Sequence, residues 1–277
     1  MNIRGSTTLI AHFGDPVSVV KAPLIYNPWF ERKGIDAAVV PMGVRADDYA
    51  IAMPSVMRFT NVRGALVTMP HKVATVALLD DVSTTVRVSG SCNAILKRED
   101  GTLYGEMFDG AGFVRGLASK GVRVQGARAL VVGAGGVGSA IAASLAAAGI
   151  STLVLFDARH AAAEALASRL REHYPATDAR FGPGDPAGFD IVVNATPLGM
   201  NAGDALPVDP TRLAPTTFVG EVVMKQTITP LLTAARERGC GIQVGTDMLF
   251  EQIPLYLEFF GFGAATPDEL RAVAQLG

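Results

Sequence analysis

The chain is short of cysteine, of charge and of aromatic residues, and neither sign of charge is in excess. Two cysteines, Cys92 and Cys240, stand without paired spacing among 277 residues, with only four histidines beside them. A disulfide scaffold is excluded, no zinc-ligand spacing or other metal site is read, and a reducing cytoplasm is the expected compartment. Charged residues make up 18% of the chain, and 24 Lys and Arg stand against 26 Asp and Glu. No charge run and no basic stretch interleaved with aromatics occurs, so no nucleic-acid partner is expected. Residues 1–15 lack a long apolar stretch closed by small residues, so no secretory signal is read there.

Hydrophobic residues, in contrast, are 49% of the chain and glycines number 30, enough for one large core or two ordinary ones. Residues 129–156 form an uncharged run of 28, longer than the ~20 that span a bilayer. Gly133, Gly135, Gly136, Gly138 and Gly149 interrupt it and its pattern changes twice. It therefore reads as strand 129–132, helix 137–148 and strand 152–156, and no membrane partner is expected.

Upstream, strands are expected over Leu9–Phe13, Ala37–Pro41 and Ala65–Met69, with a hairpin of Ala94–Lys97 and Thr102–Tyr104. Helices are expected over Pro23–Lys33, Asp47–Phe59 and Lys72–Leu79, with Pro28 and Pro54 kinking or restarting two of them. A helix over Asp109–Lys120 leads to strand 128–132 and the unit just described. Helix 160–173, strands 190–193 and 217–223 and helix 229–238 follow, then helices over Met248–Phe260 and Pro267–Leu276, the last capped by Thr266. Strands alternating with helices imply parallel sheets. The fold class is α/β: an N-terminal α/β domain followed by a Rossmann-like doubly wound domain.

Gly133-Ala134-Gly135-Gly136-Val137-Gly138 is a full G-x-G-x-x-G between an apolar strand and a helix. Its glycines suit a tight turn, close approach of the backbone to a pyrophosphate, and close helix–strand packing. Asp157 ends the next strand, where a carboxylate accepts hydrogen bonds from an adenosine ribose. That carboxylate suits the 2′-hydroxyl of NAD and repels the 2′-phosphate of NADP, while Arg159 is the group that would hold the phosphate. On this balance NAD is expected to be favoured over NADP. Further on, Asp190–Val193 reads as a buried strand ending in the polar turn Asn194–Met200. Asn194 and Thr196 there either cap the turn or face a ligand at the sheet's carboxyl edge.

The chain resembles the shikimate/quinate dehydrogenase family along nearly its whole length. The segments that carry the resemblance are Gly14-Asp15-Pro16, Val67-Thr68-Met69-Pro70-His71-Lys72, Cys92-Asn93 and Phe108-Asp109-Gly110. They continue through the glycine loop, the Asn194–Met200 turn, Thr229-Pro230-Leu231-Leu232 and Met248–Gln252. The resemblance implies a substrate-binding catalytic domain over 1–113 completed by helices within 247–277, and a dinucleotide-binding domain over 114–246. It implies that Lys72 and Asp109 act on the substrate hydroxyl while hydride moves to the nicotinamide. Thr68, Asn93, Asp109 and Gln252 are implied as substrate contacts and Gly245 as a backbone contact to the nicotinamide end. Taken alone, Lys72 reads as a solvated first-turn lysine, which its motif context and the matching Asp109 reverse; the plain alternatives for Asn93 and Gln252 are a turn residue and a helix-surface amide. A lysine acts as a base near neutral pH only where burial disfavours its charge, and a neighbouring carboxylate opposes that, so such a pair titrates as a unit.

Several positions depart from the family pattern. Val20 and Ala22 stand where two carboxylate-binding serines are usual, Leu66 where an Asn is usual, Met107-Phe108 in place of Asn-Thr, and Met224 in place of a Tyr. All run from polar to apolar. The hydride-transfer set is kept while the shikimate-recognition set is altered. The expected activity is that of a shikimate dehydrogenase-like NAD(P)-dependent oxidoreductase acting on a small cyclic alcohol as a monomer or homodimer. Two alternatives stand beside it: a diverged paralogue acting on a less polar cyclic alcohol, and a dinucleotide-binding sensor without turnover, against which the retention of Lys72 and Asp109 speaks.

Overall fold

In this computed structural model, which describes residues 2–276, apolar stretches of four to seven residues become the central strands of two sheets. The first sheet uses β1 (Thr8–Gly14), β2 (Ala37–Gly43), β3 (Val62–Val67), β4 (Asp81–Val82), β5 (Ala94–Lys97) and β6 (Leu103–Glu106), in the order β2-β1-β3-β5-β6-β4. β1 pairs in parallel with β2 and β3, β5 runs antiparallel to both β3 and β6, and β4 pairs in parallel with β6. Helices α1 (Pro23–Lys33), α2 (Ala46–Met57), α3 (Lys72–Thr75) and α4 (Thr84–Ser89) occupy the connections. α1 and α2 pass through Pro28 and Pro54 as continuous helices, so neither proline restarts one. α3 ends at Thr75 and tightens into a 3-10 turn over Val76–Leu78.

The second sheet follows α5 (Asp109–Ser119). It comprises β7 (Arg128–Val132), β8 (Thr152–Phe156), β9 (Asp178–Phe181), β10 (Ile191–Asn194), β11 (Phe218–Glu221) and β12 (Gly241–Gln243), in the order β12-β11-β10-β7-β8-β9. Every pairing is parallel, which is the doubly wound arrangement with its switch point between β7 and β10. α6 (Gly136–Ala147), α7 (His160–His173) and α8 (Pro230–Glu237) are its crossover helices. β9 and β12, absent from the sequence expectation, are short edge strands with few apolar residues. A buried cluster including Leu130, Val192, Val219 and Leu231 fills the space between sheet and α8. α9 (Gly245–Phe259) and α10 (Pro267–Arg271) close the chain, α10 with a full Thr266–Glu269 capping box but only five residues, shorter than expected.

The chain divides into two compact units, one made by the chain up to Phe108 with the segment from Ile253 on, the other by Asp109–Gln252. The borders differ from 113/114 and 246/247 because α5 packs whole against α6: a Cβ at Gly110 would lie 2.0 Å from Ala140 O, an approach only glycine permits. Among the described residues, no helix is long and apolar enough to cross a membrane, and no group of three or more His, Cys, Asp or Glu could hold a metal.

Candidate functional site

In the first unit the parallel strands β1 and β3 end at one edge of the sheet, and the antiparallel hairpin brings the start of β5 and the end of β6 to that same edge. The edge is closed by backbone hydrogen bonds: Thr68 N–H to Phe13 O (2.9 Å), Val67 N–H to Asn93 O (2.9 Å) and Asn93 N–H to Glu106 O (3.0 Å). Thr68, Lys72 and Asn93 are thereby brought together. Lys72 opens α3, and its carbonyl accepts Cys92 N–H at 2.8 Å, which ties the lysine's backbone to the segment carrying Asn93. Asn93 is buried, and its Oδ1 accepts Phe108 N–H at 2.9 Å. Its side chain thus orders the backbone immediately before Asp109. The Phe108 ring packs edge-on against Tyr256 and Phe259. Behind Lys72, His71 stacks on Tyr49 with ring centroids 4.0 Å apart, and its Nε2 contacts Val44 O at 2.8 Å.

The departures from the family pattern are visible on the same unit. Ala22 is the N-cap of α1 and offers the helix no side-chain cap bond. Val20 is half-buried and Leu66 is buried on β3. In the second unit Met224 is exposed.

Asp109 is the first residue of α5 and is buried. One turn further along the helix, a Cβ at Gly112 would lie 2.7 Å from Gln252 Cβ, so Gln252 packs on the face that Asp109 shares. Gln252 is only 7% exposed and its Oε1 has no hydrogen-bond partner among the described residues, which excludes the helix-surface reading. Gly245 opens α9 against Val223, where a Cβ would meet Val223 O at 2.2 Å.

At the switch point of the second sheet, the glycine loop turns off the end of β7. Gly133 has φ 104° and accommodates no Cβ, which would lie 2.9 Å from Ala195 O; at Gly138 a Cβ would fall 1.9 Å from Gly133 O. Gly135 is the N-cap of α6 without any side-chain cap bond, and nothing lies within 4 Å of a Cβ built there. Ala134 and Val137 flank this opening at intermediate burial, and Gly136 is the first helical residue. A dinucleotide pyrophosphate fits this place: the helix start faces open space and its N–H groups carry positive partial charge.

Asp157 accepts Ala134 N–H at 2.7 Å through Oδ2 and Arg159 N–H at 2.8 Å through Oδ1, with Arg159 Nε 3.6 Å away. Burial works to raise the Asp157 carboxyl, but these N–H groups and the Arg159 charge outweigh it and hold it below the usual carboxylate range. The carboxylate braces the glycine loop and is countered by Arg159.

Asn194 caps its own turn. Its Oδ1 accepts Thr196 N–H (3.1 Å) and Thr196 Oγ1–H (2.6 Å), and Leu198 N–H reaches Thr196 Oγ1 at 3.1 Å. Its Nδ2 donates to Leu198 O and to Glu221 Oε1. Glu221 also accepts Thr229 Oγ1–H at 2.5 Å, and burial pushes its carboxyl above the ordinary value against the pull of Thr229 and Asn194. Sequence reasoning missed Glu221; an acidic residue ending the apolar strand Phe218–Gly220 was the available signal.

The model of the shikimate dehydrogenase substrate binding domain matches residues 13–95, and that of the ThiF family matches residues 118–161, which hold the glycine loop. The shikimate dehydrogenase (NADP(+)) of Acidiphilium cryptum is 36% identical over 276 residues, 99% of this chain and 98% of that protein. Shikimate 5-dehydrogenase from Listeria monocytogenes, solved with shikimate and NAD, superposes with a TM-score of 0.92 at 26% identity over 99% of this chain and 98% of that one. The ligand-free 5-ketofructose reductase of a Gluconobacter strain gives a TM-score of 0.87 at 28% identity over 97% and 98%.

These relatives correct the cofactor expectation. Five curated relatives at 33–37% identity are named for NADP(+), which conflicts with NAD being favoured. The physical reason lies in Asp157, whose oxygens are engaged by Ala134 and Arg159 and whose charge Arg159 offsets, so its presence alone does not signal repulsion of a 2′-phosphate. With 36% identity sustained over almost the full length of both proteins, the chain belongs to the shikimate dehydrogenase family.

Proposed function

We propose that the chain is an NADP(H)-dependent oxidoreductase that interconverts a ring secondary alcohol and its ketone, with shikimate and 3-dehydroshikimate as the first pair to test. One observation carries this reading: a chain of this family keeps both an open glycine loop at a Rossmann switch point and Lys72 beside Thr68 and Asn93 at the edge of the other sheet. Bound at the loop, the dinucleotide supplies the hydride acceptor. Lys72 takes the substrate hydroxyl proton, since hydride leaves an alcohol carbon efficiently only when that proton also leaves. Asp109 orients the hydroxyl and balances the lysine's charge. Thr68, Asn93 and Gln252 hold the remaining substrate oxygens, and the unpartnered Gln252 Oε1 supports that role for the amide. Gly133–Gly138 cradle the pyrophosphate, Arg159 meets the 2′-phosphate, Asn194 and Thr196 shape the turn beside the cofactor, and Gly245 contributes backbone at the nicotinamide end. The enzyme works on a small molecule in the cytoplasm, without nucleic acid, as a monomer or homodimer; the buried free thiols of Cys92 and Cys240 suit a reducing compartment.

A second reading keeps this chemistry and changes the substrate to a ring or ketose without a carboxylate. Val20 and Ala22 favour it, as does the structural likeness to a reductase of 5-ketofructose. A screen at 340 nm with NADP+ against shikimate, quinate and neutral cyclic polyols separates the two: turnover of shikimate, even with a high KM, supports the first, and turnover of neutral polyols alone supports the second.

A further inference from the structure

His12 stands on β1 in register with Leu66 of β3, so both side chains project from the same face of the sheet. Continuing the register, Ala94 of β5 and Glu106 of β6 lie on that face too. Ile10, two residues earlier on β1, is also on it and buried. The imidazole is therefore set among aliphatic neighbours. It is 7% exposed, and its Nδ1 has no hydrogen-bond partner among the described residues. Glu106, the other polar group of the row, already accepts Ser83 Oγ–H at 2.5 Å and Met107 N–H at 2.8 Å. A buried polar nitrogen left unpaired destabilises a fold, and a leucine or valine would suit these neighbours better.

The position of His12 explains what an imidazole does there. It lies one residue before Phe13, whose carbonyl holds Thr68, at the edge that carries Lys72 and Asn93. Lys72 is close enough for its charge to act on the ring: burial first, and the lysine second, push the His12 imidazole down to about 4. The ring is neutral at physiological pH and offers one N–H and one lone pair, which suits a hydroxyl or carbonyl oxygen and gives a carboxylate no countercharge.

We infer that His12 is a specificity-determining residue of the candidate site, hydrogen-bonding an uncharged substrate oxygen next to the one handled by Lys72. This rests on the oxidoreductase reading above and adds to it a substrate class: cyclic polyols or hydroxyketones with a neutral oxygen neighbouring the reacting one.

The test uses the full chain with saturating NADP+ and shikimate as probe. Turnover is followed at 340 nm, and the ring nitrogens of His12 by NMR on protein labelled with 15N-histidine, the signal being assigned from the spectrum of His12→Asn. The expected results are that His12→Leu raises KM at least about fivefold with kcat within threefold, the scale of one lost hydrogen bond, and that His12→Asn stays within threefold of the parent. In the parent protein the His12 nitrogen signals move when shikimate is added. A His12→Leu KM within twofold of the parent, or His12 signals that stay put while shikimate is turned over, overturns the inference and leaves the oxidoreductase reading intact. His12 signals that move with shikimate in a protein that turns over neither it nor any neutral polyol of the screen remove that reading and leave His12 as a ligand contact. Signals unmoved by shikimate and by the neutral polyols, in a protein that turns none of them over, overturn both.

Discussion

Asn194 donates from Nδ2 to Glu221 Oε1 at 2.9 Å, joining the end of β10 to the end of β11 beneath the turn that carries Thr196. Through its other oxygen Glu221 holds Thr229, the N-cap of α8. One buried carboxyl thus fixes three elements around the switch point of the second sheet. Burial raises its pKa, so the folded chain retains this proton where the unfolded chain, at an ordinary value of 4.5, has released it. The associated stability is present below that value and is lost as pH rises through the folded-state pKa. Chemical denaturation of the parent and Glu221→Gln across pH 4–8 is expected to show the parent's advantage shrinking from about pH 4.5 upward. A difference between the two that does not vary with pH would contradict this assignment.

Arg159 is 75% exposed and lies 3.6 Å from Asp157. If it meets the 2′-phosphate of NADP, Arg159→Ala should raise the KM for NADP+ by about tenfold, in line with the 1.5–3 kcal/mol of a hydrogen bond to a charged group, and should change the KM for NAD+ by less than threefold. Equal losses with both cofactors would assign Arg159 to bracing Asp157 instead.

Val20 and Ala22 present no hydroxyl to a carboxylate, and a carboxylate that exchanges water for apolar side chains loses solvation without compensation. The KM for shikimate is accordingly expected above ~1 mM, the upper end of the common range. The double change Val20→Ser, Ala22→Ser should lower it with less effect on kcat, since it restores binding shared by ground and transition states. A micromolar KM in the parent would show that another group, Lys21 first, holds the carboxylate.

Asp109 and Gln252 share one side of α5 through the close contact at Gly112. Asp109→Asn is expected to lower kcat and raise the substrate KM together, whereas Gln252→Ala should act mainly on KM. Steady-state kinetics with the best alcohol of the screen distinguish them, and a Gln252→Ala variant with unchanged KM would remove the amide from the site.

Much of this was legible in the sequence because local signals and the long-range fold agree. The strand–glycine-loop–helix unit at 128–147 is written in apolar runs and in the glycine spacing, and the structure adds only the reasons why Gly133 and Gly138 admit no side chain. β9 and β12 were not legible: they are three or four residues long and are strands only because a neighbouring strand presents an edge. The same holds for the site. Lys72 and Asp109 stand out through their motifs, whereas His12 and Glu221 acquire meaning only when register and burial place them. Asp157 shows the reverse limit: a carboxylate at the diagnostic position signalled NAD, but its partners Ala134 and Arg159 decide what it offers a ligand.

The central claim is that Lys72 moves the proton of a ring alcohol during NADP-linked oxidation. The most direct measurement compares the kcat of the parent and Lys72→Met at 340 nm with NADP+ and the best alcohol of the screen, alongside NADP+ affinity by fluorescence titration. The account predicts a loss of kcat of about 10²-fold or more with NADP+ affinity within threefold of the parent. Near-normal turnover in Lys72→Met would contradict it and return Lys72 to the role of a solvated first-turn lysine.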